Sequence, residues 1–258
     1  MPQNPFSLDG KTALVAGASR GIGQAIAEAL ARAGARTILA SRNREALESI
    51  AAGLRAEGCA AEAMELDVAS RESRAALMET LPDVDILLNV AGINKRMAFE
   101  DYPREEYDRL LETNLHGLVE LTQAVGKRMI ARGAGGKVIS IGSLTSVTGL
   151  PFVSVYTITK AALAGLTRGL AAEWGRHNIQ VNCIAPGFIL TDLNRDMWSQ
   201  GPMLEWLKAS QANPRMGTPE EVAPLAVFLA GRGSDYITGQ VIAVDGGFLE
   251  TSVWPFTP

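Results

Sequence analysis

Seven short apolar runs alternate with longer stretches whose apolar positions recur every three or four residues, and this alternation leaves few folds open to the 258-residue chain. The runs are TALVAG (12–17), TILAS (37–41), AAEAMELD (60–67), DILLNVAG (85–92), KVISIGS (137–143), IQVNCIAPG (179–187) and QVIAVDGG (240–247). Between them lie IGQAIAEALARAG, REALESIAAGLRAEG, SRESRAALMETL, stretches at about 103–131 and 155–176, and TPEEVAPLAVFLA, all with amphipathic-helix period. Several runs are apolar nearly throughout, as strands covered by helices on both faces are. Strand–helix–strand repetition with right-handed crossovers predicts an α/β fold, a doubly wound parallel sheet of about seven strands in one domain over 1–258. Residues 188–216 fit neither period, and a loop of that length reads as a substrate lid or as a long surface loop.

Composition narrows the function. Acidic residues outnumber basic ones, 28 to 24, so the basic footprint of a nucleic-acid or anionic-membrane partner is missing. Two cysteines, Cys59 and Cys183, stand far apart and only two histidines occur, so no metal site or disulfide framework is expected. The opening MPQNPFSLDGK has neither a basic start nor an apolar run, and no apolar run reaches about 18 residues. The expectation is a cytoplasmic protein in a reducing compartment.

VAGASRGIGQAIA (15–27) leaves the first strand and opens the first helix, with Gly17, Gly21 and Gly23 in a GxxxGxG spacing. Glycines let backbone approach a pyrophosphate, and the helix start offers free N–H groups. In the first βαβ turn of a doubly wound chain this is a dinucleotide cradle, the mark of the Rossmann fold, in which Ser19, Arg20 and Ile22 also lie. The second strand ends in LASRN, with Ser41 where a ribose-binding acid usually sits, then Arg42. A carboxylate would repel a 2′-phosphate; Ser41, Arg42 and Arg20 can bind one. NADP(H) is therefore expected over NAD(H).

These motifs together resemble the short-chain dehydrogenases/reductases over essentially the whole chain. The likeness rests on GASRGIG, LDV with Asp67, NVAG (89–92), TN with Asn114, IGS with Ser143, YTITK, IAPGFILT (184–191) and VDGG (244–247). It implies Asp67 and Val68 against the adenine, and Asn89, Ala91 and Gly92 along the adenine ribose. It places Pro186, Gly187, Ile189 and Thr191 beside the nicotinamide. Two positions depart from the family pattern. Ala16 replaces the usual Thr and Val90 the usual second Asn, side chains that tie loops to neighbouring strands.

Tyr156 and Lys160, four positions apart in VYTITKAAL, share one helix face. Reducing a ketone needs hydride at carbon and a proton at oxygen, and a nicotinamide supplies only the hydride. A free phenol titrates near 10; lowering that by about 3 units takes roughly 4 kcal/mol. A partly buried Lys160 together with the positive oxidised nicotinamide is the expected source. Ser143, thirteen residues ahead of Tyr156, can steady the substrate oxygen. The resemblance implies that Lys160 also reaches the nicotinamide ribose and that Asn114 organises a proton-relaying water. A silent NADP(H)-binding sensor would be expected to lack Tyr156, Lys160 or Ser143, and all three are present.

INKRMAF (93–99) puts Lys95 and Arg96 near the cleft mouth, either as receivers of an anionic substrate group or as solvated loop cations. FSLDGK, INKRMAFEDYPREEYDRLLETN and RHNIQVNCIAPGF, with EWLKASQANPRMGTPEEV and SDYITGQVIAVDGGFL, look most like gluconate 5-dehydrogenases and related sugar-acid members of the family. That likeness implies a secondary alcohol or ketone of a sugar acid such as gluconate or 5-keto-gluconate. The alternative is a 3-oxoacyl-thioester reductase serving an acyl-carrier protein. The family further implies a homotetramer, or a dimer, paired through the helices at about 103–131 and 155–176. The tail TSVWPFTP (251–258), with Trp254 and Phe256, either covers a cleft or packs on the surface.

Overall fold

The computed structural model describes residues 4–192, 194–198 and 201–252. All seven expected strands form: β1 (Thr12–Ala16), β2 (Arg36–Ser41), β3 (Ala61–Glu65), β4 (Ile86–Asn89), β5 (Gly136–Ile141), β6 (Ile179–Pro186) and β7 (Val241–Val244). They pair in parallel in the order β3-β2-β1-β4-β5-β6-β7. The order reverses between β1 and β4, and ligands of open α/β sheets bind beyond the strand ends at such a switch point.

Alternation along β1 shows why both faces are covered. Ala13 and Val15 join a buried cluster with Ile26 and Leu30 of α1 (Gly21–Arg32) and with Val222 and Ala226 of α9 (Pro219–Ala230). Leu14 and Ala16 point the other way. They meet Leu118 and Leu121 of α5 (Gly117–Arg132) and Leu163 of α6 (Ser154–Trp174). The remaining long helices are α2 (Arg44–Ala56), capped by the Asn43 side chain, and α3 (Arg71–Thr80), capped by that of Ser70. α4 (Arg104–Leu111) runs into α5 through one π-helical turn, Glu112–His116, which holds Asn114.

The region 188–216 is more regular than the sequence suggests. It holds a four-residue helix α7 (Arg195–Trp198) and a ten-residue helix α8 (Gly201–Ser210). The Phe188 ring fastens it, standing edge-on at 5.3 Å from Trp198, 5.3 Å from Trp206 and 5.1 Å from Phe248. Trp254 and Phe256 lie outside the described residues. No helix among the described residues is long and apolar enough to cross a membrane, and none of their His, Cys, Asp and Glu side chains cluster to hold a metal.

Candidate active site

The glycine loop, Ser41 and Arg42, Asp67 and Val68, Asn89 to Gly92, Ser143, and Pro186 to Thr191 lie at or just beyond the carboxyl ends of β1, β2, β3, β4, β5 and β6 respectively. β1 hands over to the glycine loop at Gly17, whose φ of 104° suits glycine alone. A Cβ on Gly17 would lie 2.5 Å from the Ala91 backbone nitrogen, and one on Gly23 would lie 2.0 Å from the Gly17 carbonyl oxygen. These two positions therefore let the turn fold flat against β4 and leave a trough lined by backbone. Helix α1 starts at Gly21 with no side chain capping it, so its first N–H groups are free for an anion. Across the trough, Thr191 stands 3.4 Å from where a Gly21 side chain would begin. Thr191 thus faces the glycine loop, while Ile189 of the same segment pairs with Gly217.

The family departures at Ala16 and Val90 are met by backbone. The Ala16 carbonyl accepts the N–H groups of Val90 at 2.9 Å and Ala91 at 2.8 Å, so β1 and β4 stay joined without a Thr or Asn side chain. Val90 instead packs into the core beside Gly23. At the end of β2 the Ser41 hydroxyl accepts the Asn43 N–H. Arg20 and Arg42 are exposed, and neither has an ion-pair partner among the described residues. Beyond β3, Asp67 holds the following turn by accepting the Ala69 N–H, and the Val68 carbonyl accepts from the buried Arg74 guanidinium. Asn89 donates to Thr122 at 2.7 Å while its own buried Oδ1 has no partner among the described residues. A backbone cradle, a free helix start and two unpaired guanidiniums are the donor set that a phosphorylated dinucleotide requires.

The reacting end is built on α6. Tyr156 and Lys160 emerge one turn apart, Lys160 buried and Tyr156 partly so. The ammonium Nζ donates to the Ile141 carbonyl at 2.8 Å and lies 5.5 Å from the Tyr156 ring centre. Burial pulls Lys160 down to about 8, with neighbouring Cys183 opposing the change. Burial pushes the Tyr156 phenol up, while its hydrogen bond to Ser143 and the charge of Arg96 draw it down.

Ser143 follows β5 and caps a short turn. Its Oγ accepts the Thr145 N–H, and its own N–H donates to Ser146 Oγ at 3.1 Å. That same Ser146 hydroxyl donates to the Lys160 carbonyl at 2.9 Å, tying the Ser143 turn to α6. Sequence reading missed Ser146, and a serine in SLTSVTG gives no signal of its own. Asn114 is fully buried in the π turn, and its amide clasps Ile93 by two 2.8 Å bonds, accepting its N–H and donating to its carbonyl. A Cβ on Gly92 would meet Lys160 Nζ at 3.4 Å and Asn114 Oδ1 at 3.5 Å, so these residues surround one point. Lys95 is partly buried and Arg96 exposed on the loop just beyond, and neither has an ion-pair partner among the described residues.

Residues 17–249 match the family model described as Enoyl-(Acyl carrier protein) reductase. The chain belongs to the short-chain dehydrogenase/reductase family. As a member it is an oxidoreductase, and it is related to gluconate 5-dehydrogenases. Gluconate 5-dehydrogenase of Gluconobacter oxydans (strain 621H) is 41% identical over 246 residues, 94% of this chain and 96% of that one. The 2-dehydro-3-deoxy-D-gluconate 5-dehydrogenase of Bacillus subtilis (strain 168) is 42% identical over 95% of this chain and 96% of its own. A crystal structure of a gluconate 5-dehydrogenase from Burkholderia cenocepacia J2315 in complex with NADP and tartrate superposes with a TM-score of 0.90. That enzyme is 38% identical over 96% of this chain and 98% of its own.

Proposed function

We propose that this short-chain dehydrogenase/reductase uses NADP(H) to interconvert a secondary alcohol and a ketone on a sugar acid of the gluconate type. The observation that carries the reading is a linked set: Tyr156 bonds to Ser143 and lies 5.5 Å from Lys160 Nζ, and Lys160 and Asn114 meet beside Gly92. The nicotinamide supplies the hydride when bound. Tyr156 gives the carbonyl oxygen its proton in reduction and takes it back in oxidation. Ser143 donates to the same oxygen as negative charge grows there. Lys160, drawn toward neutrality by burial, is poised to pass a proton inward from solvent, and Asn114 holds the Ile93 end of the pocket in place.

Gly17, Ser19, Arg20, Gly21, Ile22 and Gly23 take the pyrophosphate, and Ser41, Arg42 and Arg20 the 2′-phosphate. Asp67 and Val68 take the adenine and Asn89 to Gly92 its ribose, while Pro186, Gly187, Ile189 and Thr191 take the nicotinamide. Lys95 and Arg96 receive the substrate carboxylate, which fits the sugar acids named in both curated relatives. Residues 188–216 act as the lid over this pocket, with the Phe188 ring as its fastening. The outer face of α6, with exposed Ile158 and open space at Gly165 and Gly169, is where a second copy packs in a homotetramer, an assembly that sedimentation velocity reads directly.

Initial rates with NADPH and NADH on 5-keto-gluconate and on an acetoacetyl thioester test the reading. Wild-type protein is expected to turn over the keto acid with NADPH. Arg42→Ala is expected to raise the KM for NADPH by roughly tenfold and leave that for NADH nearly unchanged, as loss of one charge-assisted phosphate contact should. Turnover of the thioester alone would replace the sugar acid by an acyl substrate, and an equal effect of Arg42→Ala on both cofactors would remove the 2′-phosphate assignment.

A further inference from the structure

Two non-glycine residues adopt the left-handed backbone region among the described residues, Phe152 with φ 63° and Asn178 with φ 56°. Asn178 is unremarkable, since asparagine enters that region readily and here ends the short turn after α6. Phe152 is an outlier, because a bulky side chain crowds the following carbonyl there. No core forces it: the residue is 60% exposed. Strained residues of this kind persist where surrounding contacts impose them, and they gather at functional sites.

A backbone contact accompanies it. The Phe152 carbonyl accepts the Met97 N–H at 2.9 Å, four residues before Tyr156 and two before α6 begins. Met97 follows Arg96 in a loop with no regular structure of its own from 90 to 98. That loop is fastened at Ile93 by Asn114 and at the Lys95 carbonyl by the Tyr102 hydroxyl at 3.4 Å. The Met97–Phe152 bond is the fastening on the far side of Arg96, and it joins the loop to the segment that carries Tyr156. Arg96 reaches close enough to Tyr156 for its charge to act on the phenol.

We propose that Phe152 is a positioning, specificity-determining residue: its left-handed backbone, rather than its ring, holds Met97 and so keeps Arg96 at the Tyr156 pocket to receive an anionic substrate group. The inference rests on the sugar-acid reading above for the identity of that group, but the clamp itself is a property of the free protein.

Three variants separate backbone from ring. Phe152→Gly and Phe152→Asn remove the ring yet accept a positive φ, whereas Phe152→Val, branched at Cβ, does not. Phe152→Val is expected to speed hydrogen exchange of the Met97 amide and to raise the KM for 5-keto-gluconate by about tenfold, with KM for NADPH and kcat changed by less than about twofold. Phe152→Gly and Phe152→Asn are expected to keep Met97 protected, to keep the wild-type KM, and to melt no lower than wild type. Phe152→Gly and Phe152→Asn raising KM with Met97 still protected would overturn the proposal in favour of the ring. Unchanged Met97 exchange in Phe152→Val would overturn the clamp, as would faster exchange with an unchanged KM. Should wild-type protein not reduce 5-keto-gluconate at all, the sugar-acid reading falls separately, and Met97 exchange across the three variants still decides the clamp.

Discussion

Tyr156→Phe is expected to lower kcat for ketone reduction by roughly a thousandfold while leaving NADPH affinity within about twofold of wild type, because a positioned acid contributes on that scale. The change removes one oxygen from a ring that α6 holds in place, so the pocket keeps its shape. A thousandfold loss corresponds to about 4 kcal/mol of transition-state stabilisation. On the proposed mechanism the lost group is the proton donor, and Ser143 is the hydroxyl it bonds to. Ser143 does not replace it, because an aliphatic hydroxyl is a far weaker acid than a phenol. Cofactor affinity, read by quenching of tryptophan fluorescence, separates chemistry from binding. A variant retaining more than a tenth of wild-type kcat would remove Tyr156 from the proton-transfer role.

Gly23→Ala is expected to weaken NADPH binding by about a hundredfold, or about 3 kcal/mol. The added Cβ would fall 2.0 Å from the Gly17 carbonyl oxygen and 2.9 Å from its carbon. Both are backbone atoms of the turn itself, so no side chain can swing aside, and the glycine loop must open to admit the methyl group. Opening it moves the free N–H groups of α1 away from the trough. Gly53→Ala is the matched control. Gly53 lies inside α2 with nothing within 4 Å of a new Cβ, so the same change there is expected to leave binding intact and to stabilise the helix by about 0.5–1 kcal/mol. Isothermal titration with NADPH and thermal melts on both variants read the two effects. Equal affinity for Gly23→Ala and wild type would mean that the pyrophosphate is not seated on this turn.

The inner strands were legible because most of their residues, unlike those of the partly buried edge strands β3 and β7, are buried on both faces, which writes a nearly unbroken apolar run into the sequence. Their ends were less so: TALVAG runs to Gly17, but the strand stops at Ala16 because Gly17 turns to positive φ. The site was legible to the extent that its chemistry demands particular residue types at fixed spacings, as Tyr156 and Lys160 do. Features that depend on contacts between distant segments were not. The π turn at Glu112–His116 rests on Asn114 bonding to Ile93, twenty-one residues away, and LLETNLHGL shows no break in its apolar period. Helix α8 begins with Gly-Pro, which reads as a loop, and its place is set by Trp206 meeting Phe188. Lys160 donating to Ile141 and the positive φ of Phe152 are likewise outcomes of packing, the latter against the local preference of its own side chain.

The central claim is that hydride passes from a phosphorylated nicotinamide to the ketone carbon of a sugar acid at the Tyr156 site. Incubating the protein with NADPH deuterated at the transferring carbon and 5-keto-gluconate, then analysing the product by mass spectrometry and NMR, tests it most directly. The expected result is gluconate, or its epimer at C5, carrying one deuterium at that carbon, formed by wild type and not detectably by Tyr156→Phe. Keto acid recovered unreduced by wild-type protein, while an acetoacetyl thioester takes up the deuterium, would contradict the account.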